Sequence, residues 1–271
     1  MMKKILSVLL LMPCILFAWQ PAGAAPIDDP VAWFPFDGNA LDAEGNGYNG
    51  TVMGGIFTSD RFGNPESALS FDGVDDHVHF DDVLQPSVFT FATWFKTTQS
   101  SVGTIFSSDP GENYYSNHGF TVKILWDGRI RVRVDASPQP GPDMSIIDSP
   151  AHLNDGKWHQ MTTTFSSSGH KLYIDGFLVG ENDGPLLYST TGFPMVIGMT
   201  HLTDEDDGLF FSGALDDLKI YDHVLPAEDV QRLSVVPEPA SLFLFGIGLI
   251  GMIGVHRHAR RSRSSQARTH L

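Results

Sequence analysis

The chain offers one cysteine in 271 residues, Cys14, set in an apolar N-terminal stretch. A disulfide framework is therefore excluded, and stability has to come from a buried core. Basic side chains are scarce as well. Over residues 25–235 only 10 Lys and Arg stand against 31 Asp and Glu, in a chain of formal net charge −15. A surface of that sign repels nucleic acid and anionic lipid headgroups at long range, so no nucleic acid is expected as a partner. Helical periodicity is sparse, and no internal repeat of fixed period is present. No grouping of Ser, His and Asp reads as a nucleophile motif.

Both termini carry targeting patterns. Lys3 and Lys4 precede an apolar stretch over residues 5–19, and Ala22-Gly23-Ala24 supplies a small-x-small cleavage site. Pro26 disfavours a cut directly before it, so residues 1–24 read as a signal peptide. Pro13 stands before Cys14 where lipid attachment needs a small residue, which argues against a lipoprotein. At the other end, Val236-Pro237-Glu238-Pro239-Ala240 leads into an apolar segment, 241–255, and then a basic tail, 256–271, with Arg257, Arg260, Arg261 and Arg263. As a helix the apolar segment spans roughly 23 Å, short of the ~20 residues of a comfortable membrane crossing. The arginines orient it with the C-terminus cytoplasmic and everything before residue 235 outside. Gly246, Gly248 and Gly251 spell GxGxxG, but inside this segment no strand precedes them. Close helix contact is the better reading.

Between the termini the chain reads as strands. Residues 120–125 and 129–134 flank Asp127-Gly128, the strongest short hairpin signal. Ile130, Val132 and Val134 alternate with Arg129, Arg131 and Arg133. Residues 89–96 are apolar on both faces, hence central. A second Asp-Gly hairpin spans 171–179, with strands at 195–198 and 214–221. One short helix is expected over 226–233, with Pro226 in its first position and Glu228 and Asp229 near its positive end. Many short strands with Gly, Asp and Asn turns indicate an all-β, two-sheet antiparallel jelly-roll sandwich over residues 25–234.

Six segments in order resemble the LamG-like jelly roll of the concanavalin A-like lectin/glucanase superfamily: VAWFPFDGNALDAEGNGYNG (31–50), ALSFDGVDDHVHF (68–80), FTFATWFKT (89–97), DGKWHQMTTTF (155–165), KLYIDGFLVG (171–180) and FFSGALDDLKIYDHVLPAEDVQRL (210–233). The tail resembles the PEP-CTERM signal, which implies processing by an exosortase at the inner membrane during export. The LamG resemblance implies two curved sheets, a face that holds glycans and often a structural calcium ion tying the first strand to the last. Carried onto this chain, that ion falls to Asp37 and Asp216, with Asn39 and Asp42 as further oxygen donors; the alternative is that Asp37 and Asp42 are turn-formers and Asp216 accepts backbone hydrogen bonds. Asp216 shares strand parity with Leu218 and Ile220, which places its carboxylate inward. An inward carboxylate has to be paired or ligated.

Glycanases of this superfamily use a Glu-x-Asp-x-x-Glu strand, and no such spacing occurs. Asp204 to Asp207 are consecutive and look like a loop. His77 and His79 share a strand face without a third metal ligand nearby. Trp158 and His159 look like core positions, and His152, His170 and His201 fall in loops. Arg129, Arg131 and Arg133 form either a cationic stripe for acidic polysaccharide or a solvated face paired with carboxylates opposite. Tyr114 and Tyr115 are candidates for stacking on sugar rings. The expectation is an exported, non-catalytic surface protein that binds glycan or a matrix component. The alternatives are a purely structural matrix protein and a divergent glycoside hydrolase or lyase.

Overall fold

The computed structural model describes residues 27–80, 87–108, 119–135, 144–150, 152–183, 194–200 and 209–235. Residues 1–24, expected to be a signal peptide, Tyr114 and Tyr115, the acidic run 204–207, the motif Pro237-Glu238-Pro239 and residues 241–271 lie outside the described residues. Within them, two antiparallel sheets stack face to face. The eight-stranded sheet runs β13 (Phe177–Asp183), β12 (Gly169–Ile174), β11 (Trp158–Ser166), β6 (Phe89–Lys96), β15 (Ser212–Tyr221), β4 (Ala68–Asp72) and β3 (Ile56–Thr58). Its eighth member, β1 (Ala32–Phe34), pairs with the second half of β15. The seven-stranded sheet runs β10 (Met144–Asp148), β9 (Ile130–Asp135), β8 (Gly119–Ile124), β7 (Gly103–Ser107), β14 (Val196–Ile197), β5 (His77–Phe80) and β2 (Gly50–Met53).

The alternation visible in the sequence decides which side chains fill the space between the sheets. Leu69 and Phe71 of β4 and Phe91 and Phe95 of β6 meet Phe120, Val122, Ile130, Val132 and Val134 from the opposite sheet. The residues between them in sequence point outward. At one side the two sheets close on each other through their edge strands. Gly180 makes this possible, because a Cβ there would lie 2.4 Å from Ile147. The Asn182 amide then donates to the Ser145 hydroxyl across the gap.

Two local devices break the simple pattern. In β15 the register against β6 shifts between Asp216 and Lys219, and Asp217 adopts a left-handed φ of 49°. This β-bulge inserts one residue and reverses parity. Leu218 and Ile220 face the core, while Asp216 lies opposite Trp94 on the outer face. The inward Asp216 read from parity is therefore corrected by the bulge. The helix α1 (Ala227–Leu233) lays Val230 on Tyr173, Tyr221 and Leu225, forming a small second core outside the eight-stranded sheet. Pro226 is its N-cap rather than its first turn. No helix among the described residues is long and apolar enough to cross a membrane.

His170, expected in a loop, belongs to β12, pairs opposite Phe165 and is 1 % exposed, with neither ring nitrogen hydrogen-bonded. Burial pushes its pKa down to about 4, against about 6.5 in an unfolded chain. The unfolded chain thus takes up the proton first. The stability present above pH ~6.5 is lost as pH falls toward 4, by roughly 3 kcal/mol. His170→Leu should remove this component. Thermal melts between pH 7 and pH 4 should show a smaller acid-induced drop in the variant than in the wild type, and equal drops would refute the assignment.

Candidate functional site

A cleft of about 260 Å3 opens on the outer face of the eight-stranded sheet. Its floor is one transverse row of paired residues on four neighbouring strands: Trp158 opposite Lys96, Lys96 opposite Ala214, and Ala214 opposite Ser70. With strands ~4.8 Å apart, the row spans about 14 Å. The small side chains of Ala214 and Ser70 keep one half of the floor low, while the half-buried indole of Trp158 rises at the other end. Thr58 at the end of β3, Ser59 just after it, Thr97, Thr98 and Gly156 form the walls. Trp158 has even parity in a strand whose odd residues Met161 and Phe165 enter the core. It is therefore not a core residue, contrary to the reading of its family position.

The walls are fixed by hydrogen bonds that begin where β6 ends. The Thr97 hydroxyl donates to the Ser212 carbonyl at 2.5 Å and accepts from the Gln99 N–H at 2.9 Å. The Gln99 side chain accepts from the Ser212 N–H at 2.9 Å and donates to the Phe210 carbonyl at 3.0 Å. Gly156 N–H donates to the Thr97 carbonyl at 3.0 Å. Beside Trp158, His159 is gripped by two carboxylates, Asp175 at 2.9 Å on Nδ1 and Asp155 at 3.2 Å on Nε2. The Asp175 hydrogen bond raises the His159 pKa against an opposing effect of burial, and Asp155 adds to it. The imidazole, bonded on both nitrogens, thereby pins the turn that carries Gly156.

The residues expected to hold calcium do not converge. Asp37 is exposed, and Asn39 bonds locally, to the Asp37 carbonyl and the Leu41 N–H. The Asp42 carboxylate accepts the backbone N–H groups of Trp33, Glu44 and Asn46, so it organises the turn. Asp216 pairs with Arg61, whose other terminal nitrogen holds Asp217 at 2.6 Å. The guanidinium lies 4.8 Å over the Trp94 ring. Burial pushes Asp216 up to about 7, with Arg61 opposing and Asp217 reinforcing the shift. Among the described residues, the group that gathers three potential metal ligands is Asp72, Asp75 and Asp76, with oxygens within 4.8 Å of one another. This group stands in the turn between β4 and β5, and sequence reading passed over it.

The arginine ladder of β9 lies on the outer face of the seven-stranded sheet, opposite in the sandwich to the cleft. It meets its own carboxylates there. Arg131 forks onto Asp148 at 2.7 and 2.8 Å, and Arg129 reaches Asp127 at 2.7 Å and Asp148 at 3.1 Å. The Arg131 hydrogen bond holds the Asp148 carboxyl below its usual range. Arg133 stands opposite Thr121 and Ile146. At Arg129 and Arg131 the geometry is the paired face, in place of an open cationic stripe.

Residues 72–231 match the profile of the concanavalin A-like lectin/glucanases superfamily, more than half of the chain. The chain belongs to this superfamily. The superfamily match begins at β4, yet β1 to β3 complete both sheets, so the folded unit extends further toward the N-terminus. Residues 235–261 match the PEP-CTERM protein-sorting motif. No curated protein matches the chain. Among solved structures, domain 4 of the extracellular GH43 arabinanase AbnA from Geobacillus stearothermophilus, in complex with arabinotriose, superposes with a TM-score of 0.59 at 18% identity. The match covers 76% of this chain and 98% of that one. The binding domain of Paraclostridial Mosquitocidal Protein 1 gives a TM-score of 0.59 at 15% identity, over 76% of this chain and 52% of that one. The CBM40 of a Ruminococcus gnavus IT-sialidase, bound to α2,3 sialyllactose, gives 0.50 at 16% identity, over 68% and 98%. At these identities the likeness speaks for the concanavalin A-like fold.

Proposed function

We propose that this is an exported, surface-displayed, non-catalytic glycan-binding protein whose concanavalin A-like domain seats a saccharide in the Trp158 cleft. The observation that carries the reading is the composition of the cleft: one indole face, a row of hydroxyls and one ammonium. Indole faces stack on the apolar faces of sugar rings, and hydroxyls exchange hydrogen bonds with sugar hydroxyls. Glycoside hydrolysis requires a pair of carboxyl groups flanking the bond. The cleft lining holds none, which favours binding over turnover. The arabinotriose and sialyllactose complexes of the neighbouring folds support the same reading.

Calcium enters this proposal through the Asp72, Asp75 and Asp76 turn. Calcium takes oxygen ligands at about 2.3–2.6 Å, so two ligands of one ion lie no more than about 5 Å apart. The three carboxylates meet that limit. The Asp76 carboxylate also accepts the Asp72 N–H, and Asp72 that of Val74, so the turn is already shaped. The ion would neutralise three clustered charges and brace the loop between β4 and β5. A glycan array with the full-length protein, run with calcium and with EDTA, tests both parts. Glycan signal supports binding, and its weakening in EDTA supports the metal. A blank array, with intact protein on it, would overturn the binding reading in favour of a structural matrix role.

The PEP-CTERM motif supports export, a transient inner-membrane stage through residues 241–255 and processing by an exosortase, and the N-terminal pattern supports removal of residues 1–24. Glu238→Ala or Pro239→Ala should then leave the chain unprocessed at the inner membrane. Mass spectrometry of the surface-exposed wild-type protein should lack Arg257 onward, and an intact basic tail on that protein would refute the processing.

A further inference from the structure

We infer that the saccharide recognised in this cleft is anionic, and that Lys96 is the residue that reads its charge; the inference rests on the glycan-binding reading of the same cleft. It starts from the distribution of charge. Residues 25–235 hold 31 acidic and 10 basic side chains. Almost any pocket in such a chain should be bordered by a carboxylate, yet none lines this one, and Lys96 does.

The condition of the other cations sharpens the contrast. Arg61, Arg129 and Arg131 are held by the carboxylates described above, Lys157 by Asp155, Lys171 by Glu181 and Arg232 by Asp229. Lys219 lies 4.8 Å over the Trp33 ring, and Lys123 and Arg133 are engaged as well. Among the described residues, Lys96 is the cation whose charged group makes no hydrogen bond, ion pair or ring contact within the protein. A fold so rich in acid has left one exposed lysine without an internal counter-charge, and has placed it in its carboxylate-free cleft.

Geometry makes the lysine usable. Lys96 stands beside Trp158 on the adjacent strand, in the same transverse row, about 4.8 Å away between strands. A sugar stacked on the indole would carry its ring substituents over the lysine. An ammonium acts as a compact point charge with three rotatable donors, suited to a carboxylate or a sulfate without dictating one planar fork. The acidic surface repels such ligands at a distance, but beyond roughly 8–10 Å that field is screened at physiological salt. Contact inside the cleft is then governed by the local charge.

The experiment is calorimetric titration of full-length protein in mild detergent with three hexasaccharides: a uronate, its carboxyl-reduced neutral counterpart, and a sulfated form of the neutral one. The expected result is about tenfold tighter binding of at least one charged form than of the neutral one. That preference should collapse in Lys96→Gln and shrink at high salt. Lys96 is exposed at the end of β6, and a melt of the variant checks that its fold is intact. Equal binding of charged and neutral forms, or a preference that survives Lys96→Gln, would overturn the inference and leave glycan binding standing. No binding of any form to the wild type would overturn both.

Discussion

Arg61→Ala should cost the domain roughly 3–5 kcal/mol, the usual penalty for stranding one member of a buried ion pair. Asp216 is 3 % exposed and opposite Trp94, and the Arg61 guanidinium joins it to Asp217. Trp33 donates its indole N–H to the other Asp217 oxygen at 2.8 Å, so Asp217 keeps a partner when the arginine goes. Asp216 does not. At roughly 2–4 °C per kcal/mol for a domain of this size, the melting midpoint should fall by about 6–20 °C. The loss should depend on pH in a defined direction. Asp216 is already pushed up to about 7 by burial, so without Arg61 it escapes the penalty by taking a proton at mildly acidic pH. The cost should be larger at pH 8 than at pH 5. Arg61→Met with Asp216→Asn removes both charges and should recover most of the loss, because replacing both members of a buried pair is close to neutral. A single Arg61→Ala variant that melts with the wild type at pH 8 would show that the network carries no stability.

The same residues mark where the sequence stopped being legible. The hairpins at Asp127-Gly128 and Asp175-Gly176, the central strand over Phe89–Lys96 and the short helix are stated by turn chemistry and by alternation, and the fold contains them. Asp216 was misplaced because parity counts residues and a bulge adds one. That bulge shows in the register against β6 and in Asp217 at positive φ, and an Asp-Asp dipeptide does not announce it. The residues expected to hold calcium are engaged otherwise. Asp216 was correctly sensed as a carboxylate that has to be paired, but its partner Arg61 stands 155 residues away in sequence, while Asp42 is taken up by backbone N–H groups of its own turn. Asp72, Asp75 and Asp76 were readable as a cluster, since one turn holds all three.

The arginine stripe shows a different limit. Its alternation was sound, and Ile130, Val132 and Val134 are buried as expected. What alternation could not supply is the register of β10 against β9, which sets Asp148 opposite Arg131. Cross-strand partners separated by an intervening loop follow from pairing, and pairing is a property of the whole sheet. The cleft was missed although its signal was present. The even parity of Trp158, Gln160, Thr162 and Thr164 against Met161 and Phe165 already puts Trp158 outside the core.

That outward indole carries the second large effect. Trp158→Ala should weaken saccharide binding by about 2 kcal/mol or more, close to thirtyfold, because buried aromatic anchors dominate binding energy while surrounding contacts mainly exclude water. The rest of the row is small or flexible: Lys96 contributes a charge, Ala214 and Ser70 a floor. Trp158 alone among these offers a rigid apolar face wide enough to cover a sugar ring. Trp158→Phe keeps a ring of lesser area and should fall between wild type and alanine. Stability provides the control. The indole lies outside the main core, so the melting midpoint should move far less than in Arg61→Ala. His159 should hold the turn between Asp155 and Asp175 in every variant. Titration against a saccharide that scores on the array, together with a melt of each variant, separates the outcomes. A Trp158→Ala protein that binds as tightly as wild type would remove the cleft from the mechanism. Loss of binding accompanied by a large drop in midpoint would show that Trp158 holds the fold and does not hold the ligand.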